Sequence, residues 1–201
     1  RILIVNNWIW IKPSHGTKCI TKIPLFLNKQ ICYLIGVIIG DGCLPFSLKN
    51  TLRSQFDYRI YLETCDYGLL KRKVIPILYR EFNIQTKIKI VRKSAKGRKR
   101  WSIHFRNKPF HIYLSRFWMI PVGKKAQRLA LPYFWTNLPL NLQMALFNGY
   151  FDTDGGKQGK SLGFTTASEK LRNQFLNFLQ ENGVLVTTFE WLNKTTMRKY
   201  Y

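Results

Sequence analysis

An imperfect internal repeat constrains the fold of this chain more than any other feature of its sequence. Residues 34–42 read Leu-Ile-Gly-Val-Ile-Ile-Gly-Asp-Gly, and residues 147–155 read Phe-Asn-Gly-Tyr-Phe-Asp-Thr-Asp-Gly. Both segments carry glycine at the third place, large apolar residues at the fourth and fifth, and Asp-Gly at the end. The repeat predicts two similar halves, each with one motif at the same structural position.

Hydrophobic periodicity predicts a matching series of elements around each copy. The first half is expected to follow the order αββαββα, with a helix over 28–40, strands at 43–48 and 57–64, a helix over 67–82, strands at 84–93 and 100–106, and a helix over 107–117. The second half is expected to contain a helix over 140–152, a strand near 157–165, a helix over 169–182 and a hairpin within 186–201. It lacks a closing helix, which predicts that this half is truncated.

Small residues in the motifs predict how the two halves meet. Gly36 and Gly40 lie on one face of the first motif helix, and Gly149 and Thr153 hold the equivalent places in the second. Glycine inside a helix costs about 1 kcal/mol relative to alanine, so its use there needs a reason. Close approach of two backbones supplies that reason, and these four residues are the predicted helix–helix interface.

Such packing would bring Asp41 and Asp154, the last acids of the two motifs, to one site. Two carboxylates held close together repel each other unless a cation lies between them. Mg²⁺ prefers carboxylate oxygens and water as ligands. A single Asp-Gly pair is equally well explained as a turn after a helix. Two related pairs in a strongly basic chain favour a metal-dependent site that cleaves phosphodiesters.

The charge balance indicates the class of partner. The chain of 201 residues has 33 Lys and Arg against 10 Asp and Glu, a formal net charge of +23. Nucleic acid fits this excess, because contacts from Lys and Arg to phosphates provide most non-specific affinity. An anionic membrane surface is the rival explanation, but no long amphipathic basic helix supports it. The longest apolar run, 31–40, is too short to span a bilayer.

The four cysteines, at positions 19, 32, 43 and 65, form no C-x-x-C pair and have no histidine at zinc spacing. They are therefore expected to be reduced, mostly buried thiols of an intracellular protein. No signal peptide is visible in the sequence.

Residues 34–42 resemble the first motif of the LAGLIDADG homing endonucleases, and residues 147–155 resemble the second. The flanks agree, since 164–171 looks like the segment that follows the second motif, and Gly123-Lys124-Lys125 with Leu131-Pro132 looks like the stretch that precedes it. The resemblance runs from about residue 25 to the end, whereas residues 1–24 carry none. It implies a first half at 25–118, a linker at 119–139 and a second half at 140–201.

The resemblance implies an α+β fold with two pseudo-symmetric αββαββα halves. Each half would carry a four-stranded antiparallel, saddle-like sheet, and the halves would pack through the motif helices of a monomer. It also implies a function, the double-strand cleavage of a long DNA target by an intron-encoded or free-standing enzyme. Two alternatives on the same fold are an intron RNA maturase and a catalytically inactive DNA-binding regulator.

Site roles follow from the same resemblance. Asp41 and Asp154 would bind Mg²⁺ or Mn²⁺, with the carbonyls of Gly40 and Thr153 as further ligands. Lys157 would act near the scissile phosphate as a catalytic basic residue. The matching place in the first half is Glu63-Thr64-Cys65, where relatives carry Gln or Lys, and Thr64 is expected to bind a water there. Thr166 corresponds to it in the second half, and Asp152 is expected to be a polar helix-end residue rather than a ligand.

The resemblance lays the sheet on the DNA major groove, and basic and amide side chains alternate with apolar ones along the predicted strands. In the strand 84–93 this alternation slips near Val91. The predicted DNA-facing residues are Arg53, Gln55, Arg59, Tyr61, Gln85, Lys87, Lys89 and Arg92 on strands, with Lys93, Lys96, Arg98, Lys99 and Arg100 along phosphates.

Overall fold

The computed structural model describes residues 2–12, 20–46, 58–93, 99–193 and 198–201. Within these ranges, no helix combines the length and the apolar character that crossing a bilayer requires. The predicted DNA-facing residues Arg53, Gln55, Lys96 and Arg98, and the side chains of Arg92 and Lys93, lie outside what is described.

Residues ahead of the first motif form a small antiparallel sheet of three strands, β1 (Ile2–Val5), β2 (Trp8–Ile11) and β3 (Thr21–Pro24). Asn6 and Asn7 both have positive φ, which suits a two-residue hairpin turn. The Asn107 side chain donates to Thr21 Oγ1 at 2.8 Å, and the Asn83 side chain donates to the Ile20 carbonyl at 2.7 Å. Two asparagines thus fasten this sheet to the first half.

The first half has the predicted order αββαββα. Its elements are α1 (Lys29–Asp41), β4 (Gly42–Cys43), β5 (Arg59–Thr64), α2 (Tyr67–Leu69), α3 (Ile75–Phe82), β6 (Ile88–Lys93), β7 (Lys99–Arg106) and α4 (Lys108–Ile112). The strands form a four-stranded antiparallel sheet in the order β4-β5-β7-β6. One such sheet, covered by helices on its apolar side, matches the α+β expectation for this half.

Two predicted helices contain a π-helical turn, one in its interior and the other at its end. A turn at Leu70–Val74 joins α2 to α3, and the Ile75 N–H bonds back to the Leu70 carbonyl five residues earlier. Pro76 follows at once and has no N–H to continue the ordinary ladder. A second π-helical turn, Tyr113–Phe117, extends α4. Helical periodicity predicts the extent of these segments but not the change in their hydrogen bonding.

After the linker come α5 (Leu140–Asp154), β8 (Gly155–Gln158), β9 (Ser161–Phe164), α6 (Glu169–Glu181), β10 (Trp191–Asn193) and β11 (Arg198–Tyr200). The strands pair as two hairpins, β8-β9 and β10-β11. Thr166 and Tyr201 exchange backbone hydrogen bonds of 3.1 and 2.9 Å, which brings the second hairpin beside the end of the first. The first half therefore has a continuous four-stranded sheet. In the second half, where a four-stranded sheet was also predicted, the described strands form two separate pairs.

Candidate active site and nucleic-acid interface

The two motif helices pack with their backbones in contact. A Cβ atom added to Gly36 would lie 2.0 Å from the Leu146 carbonyl oxygen and 2.7 Å from the Tyr150 nitrogen. One added to Gly149 would lie 2.0 Å from the Tyr33 carbonyl oxygen. These obstacles are backbone atoms, which cannot rotate aside, so glycine is required at both places.

The same packing brings the two motif acids together. A Cβ atom on Gly40 would lie 1.9 Å from Thr153 Oγ1 and 3.2 Å from Asp154 Oδ2. Gly40 immediately precedes Asp41, the last residue of α1. Tyr33 faces Gly149 and Gly40 faces Thr153, so both helices run in one direction and end at one site. All four residues of the predicted interface lie where the repeat indicates.

Each acid alters the proton affinity of the other groups at the site. Burial against protein atoms, and next the negative charge of Asp41, raise the pKa of Asp154 to about 6, although one side of this residue reaches solvent. Burial likewise raises the pKa of Asp41, opposed by a hydrogen bond from Thr64 and by the charge of Lys125. A carboxylate pair with raised proton affinity is a site that a divalent cation would stabilise.

A lysine from the linker lies beside the acids. Lys125 Nζ donates to the carbonyls of Ile38, Ile39 and Gly40 at 3.0, 2.5 and 2.6 Å, at the C-terminal end of α1. A cation there offsets the negative end of the helix dipole. Burial lowers the pKa of Lys125 to about 8, while the charge of Asp154 acts in the opposite direction. The sequence indicates this residue only as part of the Gly123-Lys124-Lys125 stretch.

Backbone contacts of the linker explain how Lys125 reaches this position. Leu44, which follows β4, forms a parallel β-bridge with Val122, and the Gly123 N–H donates to the Leu44 carbonyl at 2.7 Å. Gly123 has a φ of +85°, a conformation in which glycine is unstrained and which turns the chain towards α1. The linker thus runs beside the strand that leaves Asp41.

Two backbone carbonyls were predicted as additional metal ligands. The Gly40 carbonyl already accepts a hydrogen bond from Lys125, so one lone pair remains to it. At Thr153, the side-chain hydroxyl donates to the Tyr150 carbonyl at 2.7 Å within the same helix. The predicted ligand at this residue is therefore its backbone carbonyl and not its hydroxyl. Across the described ranges, no three His, Cys, Asp or Glu residues cluster as ligands. Two carboxylates with carbonyls and water suit Mg²⁺ or Mn²⁺ better than zinc.

Equivalent threonines support the motif ends in both halves. The Asp66 N–H donates to Thr64 Oγ1 at 3.3 Å, and the Ser168 N–H donates to Thr166 Oγ1 at 3.2 Å. Asp66 and Ser168 in turn cap the helices that follow. Thr64 also hydrogen-bonds Asp41, which lowers the proton affinity of that acid. In the second half, the Tyr150 hydroxyl lies near the motif acid and donates to the Thr165 carbonyl at 3.0 Å.

Two further residues of interest have separate surroundings. Lys157 is exposed in β8, where it pairs with Leu162 across the hairpin. Asp152 accepts a short hydrogen bond from the Tyr33 hydroxyl and an ion pair of 2.8 Å from Lys73. Asp152 therefore links the two halves at their surface, as expected for a polar helix-end residue rather than a metal ligand.

The four-stranded sheet has one core face and one open face. Strand register pairs Arg59 with Arg106, Tyr61 with His104, and Glu63 with Ser102, while the alternate residues are turned to the core. The Tyr61 and His104 rings stack at 5.5 Å. Lys89 pairs with Ser102 in the register, and its Nζ lies 3.4 Å from His104 Nε2. The predicted residues Arg59, Tyr61 and Lys89 thus share the open face.

His104 and Arg106 were missed in the sequence, although the period-two alternation of β7 after the apolar Trp101 and Ile103 carries the signal. The predicted residues Gln85 and Lys87 are exposed just before β6, and Lys99 and Arg100 are exposed at the start of β7. Arg100 forms an ion pair of 3.0 Å with Glu63. The strand register shifts between Ile90 and Lys93, where the alternation was predicted to slip.

Comparison with known proteins adds independent findings. Residues 141–201 match the family model described as a LAGLIDADG-like domain. No protein among those with curated descriptions matches the chain. Residues 141–201 are thus similar to a LAGLIDADG-like domain, in agreement with the resemblance of the motif at 147–155.

Solved structures extend the likeness to the fold of most of the chain. A structure of I-DmoI in complex with DNA and manganese has a TM-score of 0.60 at 22% identity, over 86% of this chain and 87% of that one. A structure of mesophilic variants of the homing endonuclease I-DmoI gives 0.61 at 21%, over 86% of each chain. A complex of I-DmoI with DNA and calcium gives 0.57 at 21%, over 86% and 80%. This chain therefore shares its fold with I-DmoI over most of its length.

Proposed function

We propose that this chain is a site-specific endonuclease that hydrolyses both strands of a long duplex DNA target. The observation that carries the proposal is the pairing of Asp41 and Asp154 at the common end of two backbone-packed helices. A chain with 10 acids and a net charge of +23 places two of those acids side by side. Such a costly arrangement is typical of a functional site.

The residues fit one or more divalent cations, Mg²⁺ or Mn²⁺. Asp41 and Asp154 would hold them, with the carbonyl of Thr153 and the free lone pair of the Gly40 carbonyl as neighbours. A bound cation supplies a polarised water and positive charge opposite the scissile phosphate. The I-DmoI structures, determined with DNA and with manganese or calcium, support this assignment by fold.

Two lysines would have different roles in this enzyme. Lys125 would act as a positioning residue, because its three hydrogen bonds hold the end of α1 that carries Asp41. Lys157, exposed on β8, is free to approach a phosphate of the substrate. Thr64 would hold a water beside Asp41, the role expected from its place in the first half.

The open face of the sheet would lie along the duplex. Arg59, Tyr61 and Lys89 from the prediction, together with His104 and Arg106, present donors suited to base edges and phosphates. The exposed Gln85, Lys87, Lys99 and Arg100 extend this surface at either end of β6 and β7. We also propose the division into halves at 25–118 and 140–201, acting as a pseudo-symmetric monomer.

The proposal is tested by incubating the protein with Mg²⁺ or Mn²⁺ and a library of supercoiled plasmids that carry random inserts. Linear product from a subset of plasmids is expected, and Asp41→Asn or Asp154→Asn should abolish it. Asp152→Asn is the matched control, since the same change is made near the site at an acid assigned no metal. Duplex binding without any cut by the wild type would instead identify a catalytically inactive regulator.

A further inference from the structure

A cleft opens on the helical side of the first half, away from the motif acids. Its volume is about 340 Å³, and α1, the α2–α3 segment and α5 form its walls. The residues that define its chemistry are Lys29, Gln30, Arg72, Lys73, Arg80 and Asn148. We propose that this cleft binds the phosphodiester backbone of a single nucleic-acid strand, independently of the duplex site on the sheet.

The charge of the cleft is strongly positive. Four of its lining residues are basic, and no acidic residue lines it. Lys73 is neutralised by Asp152 at 2.8 Å. For Lys29, Arg72 and Arg80, no carboxylate partner lies within ion-pair distance in the described part of the chain. Three uncompensated cations around one recess repel one another, and an anion in the recess would remove that repulsion.

The shape of the surface distinguishes this cluster from solvated basic residues scattered elsewhere. A concave wall of low dielectric focuses the field of the charges around it. Gln30 and Asn148 add amide groups on opposite walls, from α1 and α5. Charged and amide side chains from three helical segments thus converge on one recess.

The position of the cleft separates it from the surface assigned to duplex DNA. The α2–α3 segment buries Leu70, Val74 and Leu78 against the core, so Arg72 and Arg80 lie on its solvent side. The four-stranded sheet turns Ile60, Leu62 and Ile103 to the same core and exposes Arg59 and the other candidate residues on its opposite face. A duplex on the sheet would therefore leave the cleft open for a second ligand.

The size of the cleft favours a single strand over a duplex. A volume of 340 Å³ is near the lower end of small-ligand pockets, which accommodates a nucleotide-sized unit. Duplex DNA is stiff, with a persistence length of about 50 nm, and would contact the rim of this open recess rather than follow its floor. A flexible single strand can follow the recess at little cost. RNA and single-stranded DNA share the phosphate chemistry that the cleft would recognise.

The test uses fluorescence anisotropy with labelled single-stranded RNA, single-stranded DNA and duplex DNA of one sequence. The cleft variant is Arg72→Gln with Arg80→Gln, and the matched control is Lys71→Gln with Arg116→Gln. All four residues are exposed, both pairs remove the same charge, and neither control residue lines the cleft. Circular dichroism and urea unfolding verify that each variant is folded.

We expect the cleft variant to lose about tenfold or more of its single-strand affinity, while the control pair loses much less. For the cleft variant, the slope of log affinity for a single strand against log salt concentration should become shallower by about 1.4, because each of the two lost phosphate contacts contributes about 0.7. A loss of affinity for RNA alone assigns RNA as the ligand. An equal loss for single-stranded RNA and single-stranded DNA shows that the cleft recognises the phosphodiester backbone of either. Equal losses in the two variants, or a loss confined to duplex DNA, would overturn the proposal.

Discussion

At the residue scale, a half-buried lysine and two carboxylates meet at the end of α1, and the charge of each acts on the ionisation of at least one of the others. The pKa of Lys125 falls to about 8 through burial, and that of Asp154 rises to about 6. Burial disfavours the charged form of both groups, and the negative charge of Asp41 adds to this effect at Asp154. A divalent cation would relieve the repulsion between the acids, which makes metal binding and stability coupled quantities.

The raised pKa of Asp154 predicts a specific pH dependence of stability without metal. Between an unfolded pKa near 3.8 and a folded pKa of about 6, the folded state binds more protons. Stability should therefore fall as pH rises through this window. Asp154→Asn should remove this component and be more stable than the wild type at neutral pH, but not below pH 4. Urea unfolding over a pH series, in the presence of a chelator, measures this dependence. Glu181→Gln, a change at an exposed acid, is the control and should leave the pH dependence of the unfolding free energy unchanged.

Replacing Lys125 separates a positioning role from a merely electrostatic one. Lys125→Met would leave the Ile38, Ile39 and Gly40 carbonyls without their donor, at a cost of about 1–3 kcal/mol in unfolding free energy. Cleavage should lose kcat with little change in KM, because Asp41 is displaced while the DNA surface is intact. Lys124→Met, at the exposed neighbour, is the control. Equal effects of both changes, or a loss only in KM, would contradict this role.

At the element scale, local signals account for what was predictable. Asn28 and Ser168 cap α1 and α6 where capping chemistry indicates, and Gly36 and Gly149 mark the helix interface. Lys125 escaped prediction because its location depends on the Leu44–Val122 bridge, a contact between distant segments. No local pattern encodes such a contact.

The helix interface predicts a large effect of adding single methyl groups. Gly36→Ala or Gly149→Ala would drive a Cβ atom to 2.0 Å from a backbone carbonyl oxygen, so α1 and α5 must separate. We expect a loss of about 3 kcal/mol or more in stability, with cleavage impaired because Asp41 and Asp154 move apart. Gly156→Ala is the matched control, since nothing lies within 4 Å of its added Cβ. Thermal unfolding distinguishes the variants, and equal stability of all three would refute the close packing.

At the scale of the whole molecule, the basic residues are in excess and also lie on separate surfaces. The open sheet face carries Arg59, Lys89 and Arg106, the cleft on the helical side carries its own cations, and the paired acids lie between the two halves. The four-stranded sheet of the first half was predictable from alternation along its strands. In the second half, the hairpin within 186–201 was predicted and is formed by β10 and β11. The hairpin β8–β9 was predicted as a single strand near 157–165, because register and pairing depend on contacts that alternation does not specify.

This segregation predicts how duplex binding responds to salt. Each phosphate contact contributes about 0.9 to the log–log slope of affinity against salt for duplex DNA. Lys89→Gln on the sheet should reduce that slope by about one contact, because Lys89 lies beside Tyr61 and His104 on the open face. Lys170→Gln removes the same charge from an exposed position on α6 and should leave the slope unchanged. Anisotropy titrations over a salt series measure both. If the two variants shift the slope equally, binding depends on net charge alone and the sheet is not the duplex surface.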